Sequence, residues 1–362
     1  MTVYNMAVPS TGSGMASFCL DSLLPQGVRL DFLLVEFATN DAVASDMNPR
    51  AANRYALHWK ALNKMVDGQR MDPRVSLERL LRRVLRSMPG TVPILLNVCG
   101  PKRPQCPNLY HEVATFYRIR EIFVVSPVVS NSTPHVAHSE SVLETRDWER
   151  RLGVHPGSKA HAMTAQLIHH VIQGYKAQPQ AGSKGRRLPP PRFLNRSWEG
   201  VDSQWRCRTC TMADCSALVP IRPPVSRSLS GGFRVEGHTS PNFMSDRNAW
   251  KHGWTASLEN ATLGFRVPGS PSRVLLALLC SYENVGQVAI ELAPLSRQQA
   301  PFSSPLSSPS KLDLRWMSNS SQQCIADAGV AQAAEDHAIW LRVLSPTRPG
   351  RNEVKVYGVY YS

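Results

Sequence analysis

Asn40 stands near the end of LDFLLVEFATND (residues 30–41), where an apolar run stops at a polar pair. A side-chain amide displayed there can donate a hydrogen bond to an oxyanion, the charge that develops when an acyl carbonyl is attacked. The same pair also fits an Asn-Asp turn that only closes a strand. His155, in LGVHPGSKAH, precedes Pro156 in a loop ahead of a helix. From such a loop an imidazole can serve as general base, or it can be an ordinary surface histidine. NMAVPSTGSG (residues 5–14) is a Ser/Thr/Gly turn, and backbone N–H groups in such turns also hold anions. Ser10 and Gly12 are its candidate donors. Two kinds of oxyanion donor and a base suit acyl chemistry.

Periodicity supplies the elements that must position these groups. VYNMAV (residues 3–8) reads as a short strand leading into the Ser/Gly turn. Residues 30–38 (LDFLLVEFA), 91–99 (TVPILLNVC) and 121–126 are apolar runs expected of strands buried on both faces. Val75, Leu77, Leu80, Leu81, Val84, Leu85 and Met88 recur at three and four, which predicts an amphipathic helix with arginines on its outer side. A second helix is expected over 109–117. A third is capped by Ser158 and uses Ala160, Met163, Leu167, Ile168, Val171 and Ile172 as its apolar face. Alternating strands and helices indicate a parallel sheet, whose functional groups collect at the carboxyl ends of the strands.

Residues 176–192, KAQPQAGSKGRRLPPPR, read as an interdomain linker. Beyond it, short β-prone runs at 262–267, 273–281, 287–292, 312–316, 338–344 and 354–361 are separated by Gly, Pro, Asn and Ser, the pattern of an all-β sandwich. Trp250, Trp254, Tyr282, Trp316 and Trp340 could stack on sugars there, although aromatics in strands more often fill cores.

In this order, the Ser/Gly turn, the ATND run and the histidine loop resemble the blocks of the SGNH (GDSL-like) serine hydrolases, over roughly residues 1–175. The text between blocks, SLERLLRRVLRSMPGTVPILLNV and YHEVATFYRI, is similar to a eukaryotic branch of that class. GWTASLENATLGFRV and LLALLCSYENVGQVAIEL resemble a C-terminal β-domain that accompanies such modules in algal and plant proteins.

The resemblance implies a flavodoxin-like three-layer α/β domain over 1–175, a linker over 176–195 and a β-rich, sandwich-like domain over 196–362. It implies hydrolysis of ester groups, O-acetyl groups of glycans above all, with no cofactor and no metal. His155 would be the catalytic base, with Asn40, Ser10 and Gly12 as the oxyanion hole and Asp41 as neighbour. An acylated carbohydrate or small ester is the implied partner.

The departures are equally specific. Ala38 replaces the Gly of the third block, and Ser10 stands where the second block usually has Gly. Leu152 occupies the place of the Asp that orients the histidine, for which Asp147 is a possible substitute. The Gly-Asp-Ser block that holds the nucleophile has no counterpart in the chain. The expectation is therefore an N-terminal truncation, with a strand ending in Gly-x-Ser and a secretory signal encoded upstream. The 362-residue chain is expected to be inactive by itself. Two alternatives stay open: a non-catalytic protein binding glycan or a partner, and a glycan O-acyltransferase.

Composition narrows the classes. The net charge of +14 is carried by dispersed arginines, with no zinc finger, RNP sequence or basic recognition helix, so nucleic acid is not the expected partner. No apolar run reaches the roughly 20 residues of a membrane span. Eight cysteines suit disulfides in a secretory lumen or outside the cell. Cys207, Cys210 and Cys215 could alternatively hold zinc but lack a fourth ligand at proper spacing.

Overall fold

The structure, a computed structural model, describes residues 2–4, 12–24, 27–38, 41, 73–101, 106, 108–126, 156–177, 188–193, 205–209, 220–221, 234–236, 253–256, 258–269, 271–280, 285–295, 309–314, 322–329, 335–344 and 354–362. Its first half contains α1 (Ser13–Leu23), β1 (Phe32–Val35), α2 (Pro73–Ser87), β2 (Val92–Cys99), α3 (Asn108–Tyr117), β3 (Arg120–Val125) and α4 (Ser158–Ala177). The three strands form one parallel sheet in the order β1-β2-β3, with Phe32 opposite Val92 and Ile94 opposite Arg120.

VPILLNVC is apolar at nearly every position because both of its faces are covered. Leu95 and Cys99 meet α1, α2 and α3, while Ile94, Leu96 and Val98 meet α4. Helices on both sides of the sheet make three layers. No helix among the described residues is long and apolar enough to cross a membrane.

Three local expectations need correction. Of the strand expected over residues 3–8, Val3 and Tyr4 lie outside any strand, with Val3 73% exposed, and residues 5–8 lie outside the described residues. Ser158 is the first helical residue of α4 rather than its cap, and the Gly157 carbonyl accepts the His161 N–H at 3.0 Å. On the same helix Met163 points outward. Its expected place in the buried stripe goes to Thr164, whose hydroxyl returns to the Ala160 carbonyl at 2.7 Å and so does not enter the core unpaired.

The arginines of α2 are the larger surprise. Arg79, Arg82 and Arg83 are almost wholly buried, not on a solvated face. Arg83 donates to the Phe18 carbonyl at 2.7 Å and to Asp21 at 2.5 Å, and reaches the Trp205 carbonyl at 3.3 Å. Arg82 donates to the Tyr117 hydroxyl and to the Pro189 carbonyl, and Arg79 lies over the Phe18 ring. Guanidinium groups tolerate this because several fixed acceptors replace water. Residues 188–193, within the stretch expected to be a linker, lie across α2 and α3. The Arg192 and Phe193 N–H groups both donate to Glu78 at 2.7 Å, and the Arg192 side chain pairs with Glu112.

The second half is antiparallel. Its strands are β4 (Arg206–Thr209), β5 (Pro220–Ile221), β6 (Arg234–Glu236), β7 (Gly253–Ala256), β8 (Thr262–Val267), β9 (Val274–Cys280), β10 (Gln287–Pro294), β11 (Ser310–Asp313), β12 (Gln322–Gly329), β13 (His337–Val343) and β14 (Val354–Tyr361). One sheet runs β11-β10-β13-β8-β5; the other runs β12-β9-β14-β7-β6, with β4 also paired to β14. Alternate residues of both sheets, among them Phe265, Val288, Ile339 and Leu341 from one and Leu276, Leu278, Val356 and Val359 from the other, fill one core between them.

Trp340 belongs to that architecture rather than to a sugar platform. It is 6% exposed and covers Gly264, its cross-strand neighbour on β8. A Cβ at Gly264 would overlap the indole ring. Gly264→Ala is therefore expected to destabilise the protein by about 1–3 kcal/mol through overpacking, measurable as a lower urea midpoint at unchanged m. Trp254 packs partly buried against the same core, while Trp250, Tyr282 and Trp316 lie outside the described residues.

α1 joins the two halves. Ala16 and Leu20 pack into the α/β core, whereas Met15, Phe18 and Cys19 pack against Trp205, Leu275, Ala277, Ile325, Tyr357 and Tyr360 of the β half. Phe18 meets Trp205 edge-on at 4.8 Å between ring centroids, and Cys19 is disulfide-bonded to Cys207 on β4.

Candidate functional site

β2 and β3 end together, at Cys99 and Val125, whereas β1 ends earlier, with Val35 opposite Leu95; the carboxyl edge of this sheet is where a site is expected. The Cys99–Cys106 disulfide closes the loop that leaves β2, and Ser126 donates its N–H to the Cys99 carbonyl at 3.2 Å. Beyond β1, the Asp41 N–H donates to the Phe37 carbonyl at 2.9 Å. Asp41 is 7% exposed.

Of the residues singled out from the sequence, Gly12 and Asp41 are brought into contact. Gly12 is the N-cap of α1, and the Ser13 N–H that follows donates to both oxygens of Asp41, at 3.1 and 3.2 Å. A Cβ on Gly12 would overlap Oδ1 of Asp41, so glycine is required there for space. Its φ of −96° and ψ of −175° are open to any residue. Asn40, Ser10, His155, Leu152 and Asp147 lie outside the described residues.

Sequence reasoning missed two members of this cluster. Tyr110, fully buried on α3, donates its hydroxyl to Oδ2 of Asp41. Ser13, also fully buried, supplies the N–H and places its hydroxyl 3.5 Å from the Pro73 carbonyl. Neither carries a sequence signal, because their partner is 69 and 28 residues away.

Burial dominates the electrostatics. Desolvation pushes the Asp41 carboxyl from its ordinary 3.8 up to about 6, against the hydrogen bonds from Ser13 and Tyr110 that favour the ionised form. Burial, together with the charge of Asp41, raises the Tyr110 phenol, so it remains a donor at neutral pH. Because the folded-state value lies above the ordinary one, Asp41 favours the fold most below pH about 4, and that contribution is lost as the pH rises through about 6.

A separate polar cluster ties α3 to the sheet. Asn97 donates to Glu121 at 2.9 Å and His111 meets the other oxygen of Glu121 at 2.8 Å; burial raises the Glu121 carboxyl. Among the described residues no group of three or more His, Cys, Asp or Glu side chains is arranged to hold a metal. Cys207, one member of the C-x2-C-x4-C run, is already bonded to Cys19.

No family profile matches the chain, and no curated protein matches its sequence. Among solved structures, a two-domain esterase (CEX) active on acetylated mannans, co-crystallised with mannopentaose, matches at a TM-score of 0.53 and 14% identity. That match covers 100% of this chain and 80% of the other. A second structure of such an esterase matches at 0.52 and 16% identity, over 99% and 80% of the two chains. What this chain shares with those two-domain esterases, over essentially its whole length, is their fold.

Proposed function

We propose that this protein is an SGNH-type serine esterase that removes O-acetyl groups from glycans, acetylated mannans being the first substrates to examine. The observation that carries the reading is the contact between Gly12 and Asp41, because it joins the ends of two motifs that the resemblance assigns to one oxyanion hole. The likeness of fold to esterases active on acetylated mannans supports the substrate class. In this reading a serine hydroxyl attacks the acetyl carbonyl and His155 takes its proton. Asn40 and the N–H groups at Ser10 and Gly12 hold the tetrahedral oxyanion, the sugar oxygen leaves with the proton from His155, and water then releases acetate. A sugar hydroxyl in place of that water gives the transferase variant of the same chemistry. The two disulfides are consistent with this reading's expectation of an oxidising compartment, the secretory lumen or outside the cell.

The test is acetate release from acetylated mannan and from p-nitrophenyl acetate by the full-length protein. Asn40→Ala is expected to lower kcat by about 100–1,000-fold, the usual loss for one oxyanion donor. Undiminished turnover in that variant removes Asn40 from the mechanism. The second reading, a glycan-binding protein without catalysis, is favoured by Leu152 at the place of the orienting Asp. It predicts binding of manno-oligosaccharides, read by calorimetry, with no acetate release.

A further inference from the structure

Asp41 follows Asn40 directly in the chain, and its carboxylate does more than close a turn. α1 has no side-chain cap of its own at Gly12. The acceptor for its first N–H comes instead from Asp41, 28 residues further along, with Tyr110 bracing the same carboxylate from α3. A carboxylate suits this place because it offers only acceptors, and so takes an N–H and an O–H together without a donor of its own in conflict. We propose that Asp41 is a positioning residue for ester hydrolysis: it clamps the Gly12–Ser13 turn at the start of α1 against α3, so that the backbone N–H of Gly12 is held where the reading needs an oxyanion donor. The inference rests on the esterase reading above.

Misplacing a donor by about 1 Å can cost on the order of 100-fold in rate, so the clamp should register in kcat rather than KM. Among the described residues the groups facing Asp41 are Tyr110 from α3 and Ser13 from α1. Glu36, near the end of β1, acts on Tyr110 through its charge. Proton uptake by Asp41 removes one acceptor oxygen, so the clamp should slacken as the pH falls through about 6.

The experiment compares wild type, Asp41→Asn, Asp41→Ala and Tyr110→Phe in the full-length protein. It records kcat and KM for p-nitrophenyl acetate, the pH profile of kcat, and hydrogen exchange at the Ser13 amide. Asp41→Ala is expected to lose about 100-fold in kcat per folded molecule with KM within about twofold, and to speed Ser13 exchange. Asp41→Asn keeps one acceptor for Ser13 and should recover about tenfold of that loss. Tyr110→Phe should fall between wild type and Asp41→Ala. In wild type, proton uptake by Asp41 should add a step of about tenfold in kcat near pH 6 to the acidic limb set by the base, and Asp41→Asn should lack that step. If Asp41→Ala fails to fold, the loss of that step decides the matter.

Wild-type kcat in Asp41→Ala, or the same step near pH 6 in Asp41→Asn as in wild type, overturns the positioning role while the esterase reading stands. A wild type inactive on every ester overturns the esterase reading and the role with it, and the wild-type rate itself tells the two failures apart.

Discussion

Glu78→Ala should lower the free energy of unfolding by about 3–5 kcal/mol, the usual loss when one partner of a buried charged network is deleted. Glu78 is fully buried on α2, and its two oxygens accept the Tyr117 hydroxyl and the Arg192 and Phe193 N–H groups, each at 2.7 Å. Tyr117 in turn accepts from Arg82 at 2.9 Å. Truncation to alanine leaves a hydroxyl and two backbone donors without their acceptor and removes a negative charge from beside a buried guanidinium. Glu78→Gln keeps the volume and one acceptor but turns an amide donor towards N–H groups, so it should lose less than the alanine variant and still be destabilised. Urea titration at fixed pH measures both. A loss below about 1 kcal/mol in Glu78→Ala would show that water replaces the carboxylate and that the network is not sealed. Because residues 188–193 depend on Glu78, their amides should also lose exchange protection before the parallel sheet does.

The second large effect is expected from the disulfide between Cys19 and Cys207. It closes 188 residues, whereas Cys99–Cys106 closes 7. If the stabilisation comes mainly from restricting the unfolded chain, losing the first costs about 5 kcal/mol and losing the second about 2 kcal/mol. Cys19 is fully buried between α1 and β4, so replacement of the pair by alanine rather than serine avoids adding an unpaired hydroxyl. The measurement is urea unfolding of each double alanine variant. Equal losses for the two pairs would contradict the loop-length account and point to native-state packing as the source. The same variant reports on the joint. α1 holds Phe18 against Trp205 and receives Arg83 at its carbonyls, contacts that do not need the disulfide once the fold has formed. Protection of α1 amides should therefore weaken but persist.

These effects bear on the candidate site because α1 begins there. Its first turn is held by Asp41 at the carboxyl edge, and its body is packed against the β half. Displacement of the helix along its axis would move the Gly12–Ser13 turn. The β half is thus part of what fixes the candidate oxyanion donors, in addition to any contact it makes with a glycan.

The elements legible from the sequence were those whose signal is local. VPILLNVC reads as a doubly covered strand, and residues 75–88 as a helix, because apolar spacing alone sets which faces can be buried. The runs now seen as β8, β9, β10, β13 and β14 were readable for the same reason. α1 was not, since SGMASFCLDSL is rich in Ser and Gly and its N-terminal acceptor lies 28 residues downstream. The spacing of Arg79, Arg82 and Arg83 places them together on one side of α2 but says nothing of what covers that side. The Pro189 and Trp205 carbonyls that receive Arg82 and Arg83 are 107 and 122 residues away. In the site, the motif residues Gly12 and Asp41 were named from the chain, yet their contact, the fully buried Tyr110 that completes it and the raised carboxyl exist only once α1, α3 and the turn after β1 exclude water together. Periodicity is written along a chain, whereas desolvation and the identity of a distant hydrogen-bond partner belong to the packed molecule.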